Sequence, residues 1–308
     1  MTHWRTLVAQ ADQLGESPFW HPQERKLYWV DIPGRRLRRT DAGGETVQSW
    51  AMPMEPGCIA PIRGGGLVIA LRDGVYRARE WEGELVLVAR FGHDVSTTRF
   101  NDGKADPFGR FWAGTMYEPR DARTAQLYSI DLRGANKDGK PVIELKAGDN
   151  VIANGLAWSP DARTVYWSDT TGHVIHAWDW DAQSNEMRNR RVFHQFAPKP
   201  PGWTPGEPGY GGRPDGAAVD AQGNYWSAMF EGARLVKISP SGQLLDEIAL
   251  PVRCPTMPCF GDDDLRTLYV TSSRYLRPAA ELQQLPQSGC VIAARVDVPG
   301  LPVNFVSG

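Results

Sequence analysis

Cysteine is scarce in this chain of 308 residues: only Cys58, Cys254, Cys259 and Cys290. None falls in a paired CxxC spacing, and four are too few for a disulfide scaffold. They read as reduced thiols, with a Cys254–Cys259 bridge the one pairing left open. No run of 18 apolar residues occurs, so no helix is expected to span a membrane. The opening "MTHWRTLVAQADQLGESPFW" lacks the apolar stretch of a secretory signal, so a cytoplasmic location is expected. Neither charge dominates: Lys and Arg total 34 against 36 Asp and Glu. The formal net charge of −2 leaves no basic footprint for nucleic acid or an anionic membrane. Helix signals are also few. The best is "PAAELQQL" (278–285), about two turns long.

Several catalytic signatures are missing as well. There is no G-x-S-x-G nucleophile elbow and no H-E-x-x-H zinc motif. "GANKDGKP" (134–141) starts like a phosphate loop, but Pro141 stands where a hydroxyl is needed, so it reads as a surface turn. "NDGKAD" lacks the distal Glu of a calcium loop. His173 and His176 are three apart, which on a strand points them to opposite faces, so both read as structural or solvent-facing.

What the chain does have is a repeat. "RKLYWVD" (25–31), "GGLVIAL" (65–71), "GRFWAGT" (109–115), "RTVYWSD" (163–169), "GNYWSAM" (223–229) and "RTLYVTS" (266–272) are short aromatic and β-branched runs entered through polar turns. Such runs suit strands. Their spacing of roughly 40 to 60 residues is in the range of propellers and solenoids. Segments before and after each run also read as strands, so four strands per unit and six units account for the length. The expected fold is all-β: a six-bladed β-propeller, with four-stranded antiparallel blades around a central channel, forming a single domain over 1–308. Hydrophobic residues make up 41%, enough to fill such a core. The exception is "FAPKPPGWTPGEPGYGGRP" (196–214), whose prolines and glycines bar it from a central strand. Trp203 and Tyr210 give it something to pack, so an ordered lid is expected.

One polar position recurs in the repeat. Glu16 in "LGESPFW", Asn101 and Asp102 in "RFNDGKAD", Asn154 in "IANGLAWS" and Asp215 in "RPDGAAVD" each fall at the start of a blade's inner strand. Asn-Asp-Gly alone reads as a turn. In a propeller, however, these starts converge at one mouth of the channel. Glu16, Asp215 and the Asn154 amide would then form an oxygen-only donor set suited to Ca²⁺, Mg²⁺ or Mn²⁺. Without a cation, converging carboxylates repel and one protonates.

These stretches, with "RFNDGKADPFGRFWAGTM", "ANGLAWSPDARTVYWSDT" and "PTMPCFGDDDLRTLYVTSSR", resemble the SMP-30/gluconolactonase/luciferin-regenerating-enzyme family, also called regucalcin-like, from about residue 14 to 275. The resemblance implies a six-bladed propeller and metal-dependent hydrolysis of a sugar-acid lactone. It implies one divalent metal, calcium first and Mg, Mn, Zn or Fe as alternatives, held by Glu16, Asn154 and Asp215. It implies substrate contacts from Arg99, Asn101 and Glu118, although the family's acidic position can fall on what is here Pro119. Asp215 is the candidate general base. Asp102 either supports the loop or reaches the metal through water. The expected partner is a small sugar lactone and the expected state a monomer or weak homo-oligomer. Two other readings stay open: an organophosphate or aryl-ester hydrolase on the same site, and a non-enzymatic calcium-binding propeller.

Overall fold

A computed structural model describes residues 3–134 and 140–308. Most of the "GANKDGKP" turn lies outside them. Six four-stranded antiparallel sheets form the blades of a propeller, five of them from consecutive strands. The six aromatic and β-branched runs are the second strands: Lys26–Asp31, Leu67–Leu71, Phe111–Tyr117, Thr164–Asp169, Tyr225–Phe230 and Thr267–Ser272. They are buried almost throughout because each is covered on both faces by neighbouring blades. The outermost strands are different. Glu186–Gln195 reads EMRNRRVFHQ and is largely exposed, its arginines keeping a free edge from pairing with other chains. The ring closes where Arg5–Val8, from the chain's start, becomes the outer strand of the last blade by pairing with Val291–Arg295.

A side-chain device recurs at the turns into the second strands. Asp106 is fully buried. Its Oδ1 accepts the Phe108 and Arg110 amides at 2.8 and 3.0 Å, and its Oδ2 the Trp112 indole N–H at 2.9 Å. Asp220 does the same two blades on, accepting Gln222 N, Asn224 N and Trp226 Nε1 at 3.0, 2.9 and 3.0 Å. Each carboxylate thus ties a turn to a core tryptophan and satisfies donors that burial would otherwise strand.

The innermost strands are Gly15–His21, Pro56–Pro61, Thr98–Ala105, Ala153–Trp158, Arg213–Val219 and Pro255–Gly261. All six carry a register shift near their start, Phe100/Gly103 in the third blade and Asn154/Ala157 in the fourth among them. A bulge of this kind kinks the strand and re-aims its side chains. Asn101-Asp102-Gly103 is therefore not a chain-reversing turn, as the tripeptide alone reads, but a bulge inside Thr98–Ala105. Gly103 is required there: a Cβ would stand 2.4 Å from the Trp112 carbonyl oxygen and 2.5 Å from Cys58 Sγ.

The four cysteines are free and buried, so Cys254 and Cys259 are not bridged. "PAAELQQL" forms one short helix, Ala279–Gln284. His173 is not on a strand. It precedes Val174 with a positive φ of 55°, which removes the opposite-face reading. Its Nε2 meets Tyr210 Oη at 2.7 Å, which ties the 196–214 segment to the fourth blade, while within the segment Lys199 stacks over Trp203 at 4.6 Å.

Candidate active site

The bulged starts of four inner strands bring the expected residues to one channel mouth. Glu16, Arg99, Asn101, Asp102, Asn154 and Asp215 are all buried, each 3 to 6% exposed. A directed hydrogen-bond chain links three blades. Arg99 Nη1 donates to Asn101 Oδ1 at 2.7 Å, and Asn101 Nδ2 donates to Asn154 Oδ1 at 2.8 Å. Asn154 Nδ2 donates to Thr170 Oγ1 at 2.8 Å, and that hydroxyl donates to the Pro214 carbonyl at 2.8 Å. The ends fix every polarity between them, because a guanidinium only donates and a carbonyl only accepts. Asn154 is consequently locked with its oxygen toward Asn101, leaving that oxygen a second lone pair.

The carboxyls are under strain that has a clear electrostatic origin. Burial, then the charges of Asp215 and Asp102, push the Glu16 carboxyl well above its usual range. Burial and the Asp102 charge push Asp215 up to about 8. Burial also raises Asp102. Its Oδ2 accepts the Leu156 amide at 2.9 Å, while its Oδ1 is buried with no partner among the described residues. Glu16 and Asp215, with the spare lone pair of the Asn154 oxygen, fit a hard divalent cation, which would relieve the repulsion among the buried carboxyls. The donors differ from an all-acidic cage, since the third is an amide. Accordingly, no group of three His, Cys, Asp or Glu side chains poised to hold a metal occurs among the described residues.

Glu118 lies at the rim, half-exposed. It accepts Arg72 Nη1 and Nη2 at 3.0 and 3.2 Å, and stands 3.4 Å from Arg99 Nε. It therefore joins the Arg99 side of the mouth while already paired. A second rim cluster was not read from the sequence. Glu231, 4% exposed, is shared by Lys199, Arg277 and Arg213 at 3.1, 3.0 and 3.4 Å. Arg120 feels the charges of Arg213, Glu118 and Glu231 but has no ion pair among the described residues. Thr170 was also missed. Its only signal was its place directly after "YWSD", at the end of a second strand and so at the same mouth.

Comparisons with known proteins give the family. Residues 14–274 match the model of the SMP-30/Gluconolactonase/LRE-like region. A 6-deoxy-6-sulfogluconolactonase of Pseudomonas putida is 45% identical over 306 residues, covering 99% of this chain and 98% of its own. A regucalcin of Danio rerio is 32% identical, covering 98% and 97%. Among solved structures, a calcium-binding regucalcin from Agrobacterium tumefaciens superposes with a TM-score of 0.88 at 25% identity, over 99% of this chain and 97% of that one. A luciferin-regenerating enzyme does so at 0.86 and 26%, over 100% of both. The chain belongs to the SMP-30/gluconolactonase/LRE-like family.

Proposed function

We propose that this protein is a lactonase that hydrolyses a sugar-acid lactone to the open-chain aldonic acid, using one divalent cation held by Glu16, Asn154 and Asp215. The observation that carries the reading is the directed chain from Arg99 to Pro214, which presents the Asn154 oxygen beside buried, mutually repelling carboxyls. Lactone names among the relatives supply the reaction class, including a sugar lactone lactonase of Bacillus subtilis that is 30% identical over 97% of this chain.

When bound, the cation supplies Lewis-acid polarisation of the ring carbonyl. Arg99 and Asn101 orient the ring by hydrogen bonds to its hydroxyls, the guanidinium with its planar fork. Glu118 extends this contact at the rim. Asp215 takes a proton from the attacking water as the water oxygen bonds to the carbonyl carbon. The ring C–O bond then breaks, and the proton leaves with the ring oxygen as a hydroxyl. A neighbouring positive charge favours the ionised form of Asp215 that this role needs.

At the rim the four cations Arg120, Arg213, Arg277 and Lys199 outnumber the three carboxylates Glu118, Glu231 and Glu281. This excess suits a lactone with an anionic substituent far from the carbonyl, such as the sulfo group in the Pseudomonas relative's name. The test is a panel of neutral aldonolactones, 6-sulfo and 6-phospho counterparts, and aryl esters, ranked by kcat/KM. Lactones should lead, and R120Q should lower kcat/KM for the anionic ones only. Preference for aryl esters would overturn the lactone reading. An equal R120Q effect on all lactones would overturn only the rim assignment.

A further inference from the structure

The channel does not end at the site just described. Beyond the polar ring, toward the opposite mouth, it opens into a separate cavity of about 270 Å³ lined by the far ends of all six inner strands. Its walls are mostly apolar, with Phe19, Ile59, Trp158, Val219 and Phe260 among them. The segment Leu301–Asn304 runs across its floor. That strap is tied at its ends by Leu301 N to the Val219 carbonyl at 3.2 Å and Val306 N to the Pro61 carbonyl at 2.8 Å. Between those ties, Asn304 Nδ2 donates to the Ala105 carbonyl at 3.2 Å.

One charged side chain lines this cavity: Lys104. The mechanism has no use for it. Among the described residues its ammonium donates one hydrogen bond, to the Ala217 carbonyl, and makes no ion pair. Burial disfavours its charged form, and the carboxylates of Asp102 and Glu16 offset this only from a distance, without an ion pair. An ammonium carries three donors, and leaving a buried charge without a counter-charge is costly. Water is a poor remedy in a cavity walled by aliphatic and aromatic groups, which tend to stay dry. Lys104 thus combines an ammonium that touches no carboxylate among the described residues with an apolar container.

We propose that this cavity binds a small apolar monocarboxylate, with the carboxylate on the Lys104 ammonium and the hydrocarbon body against the aromatic and aliphatic walls. Size limits the body. A cavity of about 150 Å³ accommodates benzene, so this one takes a single ring with a short chain, or a medium-length acyl chain. The sugar lactone is the wrong chemistry here, because its hydroxyls would find few partners. The proposal is independent of the lactonase reading, since it concerns the other end of the channel.

The experiment titrates the full-length, chelator-treated protein with octanoate and, separately, with octan-1-ol, by calorimetry and tryptophan fluorescence. Chelation removes the cation as a competing carboxylate receptor. Octanoate should bind and perturb the emission of Trp20 and Trp158, which line the cavity. Octan-1-ol should bind at least about tenfold more weakly, the difference made by one charge-assisted hydrogen bond. K104M should lose about the same factor for octanoate and nothing for octan-1-ol. Absence of octanoate binding at millimolar concentration, equal affinity for the two probes, or unchanged octanoate affinity in K104M would each overturn the proposal. Should K104M not fold, the acid–alcohol comparison on the unaltered protein decides alone.

Discussion

Removing the cation should make the stability of this protein fall as pH rises. Asp215 is the group to follow, since burial and Asp102 raise it from 3.8 to about 8 in the metal-free fold. A carboxyl whose folded pKa exceeds its unfolded one binds more protons when folded across that interval. Its contribution is fully present below pH 3.8 and is lost as pH rises to about 8. From pH 5 to 8.5 the span is about three pKa units, worth about 4 kcal/mol at 1.36 kcal/mol each. That is a large part of a typical domain stability and lowers Tm by on the order of 10 °C. The assay is differential scanning calorimetry with chelator present, on wild type and D215N. The wild-type protein should lose Tm steadily over this range and D215N much less, making D215N the more stable of the two at pH 8.5. Restoring a divalent cation should flatten the wild-type curve, because the ion replaces the proton. Parallel pH profiles for wild type and D215N would mean that the charge at 215 is not the one opposing the fold.

Thr170→Val removes the hydroxyl that fixes the Asn154 amide, which is then free to turn its N–H groups into the mouth. Divalent-cation affinity, read by calorimetry, should fall about 10- to 100-fold with the fold unchanged; equal affinity would dismiss the directed chain as irrelevant to the ion. Asp220→Ala strands the Asn224 and Trp226 N–H donors, both buried, and frees the Gln222 amide at the exposed turn. Chemical denaturation should register a loss of about 3 kcal/mol or more, and a change under 1 kcal/mol would contradict the role given to this repeated aspartate.

The blades were legible because their second strands are written in β-branched and aromatic residues with polar turns between them, as in "RTVYWSD". The converging site was legible for a related reason. Glu16, Asn101, Asn154 and Asp215 each occupy one position of the repeat, and a closed ring turns a shared position into a shared place. What local sequence could not decide was settled by partners distant in the chain. Asn101-Asp102-Gly103 favours a turn on its own, yet pairing of Thr98–Ala105 with Phe111–Tyr117 holds it as a bulged strand. His173 reads as a strand residue until the distant 196–214 segment supplies Tyr210. Glu231 draws Lys199 and Arg277 from 32 and 46 residues away. Lys104 sits inside a polar hexapeptide, and only the closed channel shows that the residue lines an apolar cavity.

Initial rates on an aldonolactone decide whether a divalent cation and Asp215 together carry lactone hydrolysis, as proposed. Chelated protein should lose turnover and recover it when a divalent ion is restored. D215N, with its melting transition intact, should lose at least about 100-fold in kcat, the range expected when a general base is removed. Wild-type rates in the chelated protein or in D215N would contradict the account.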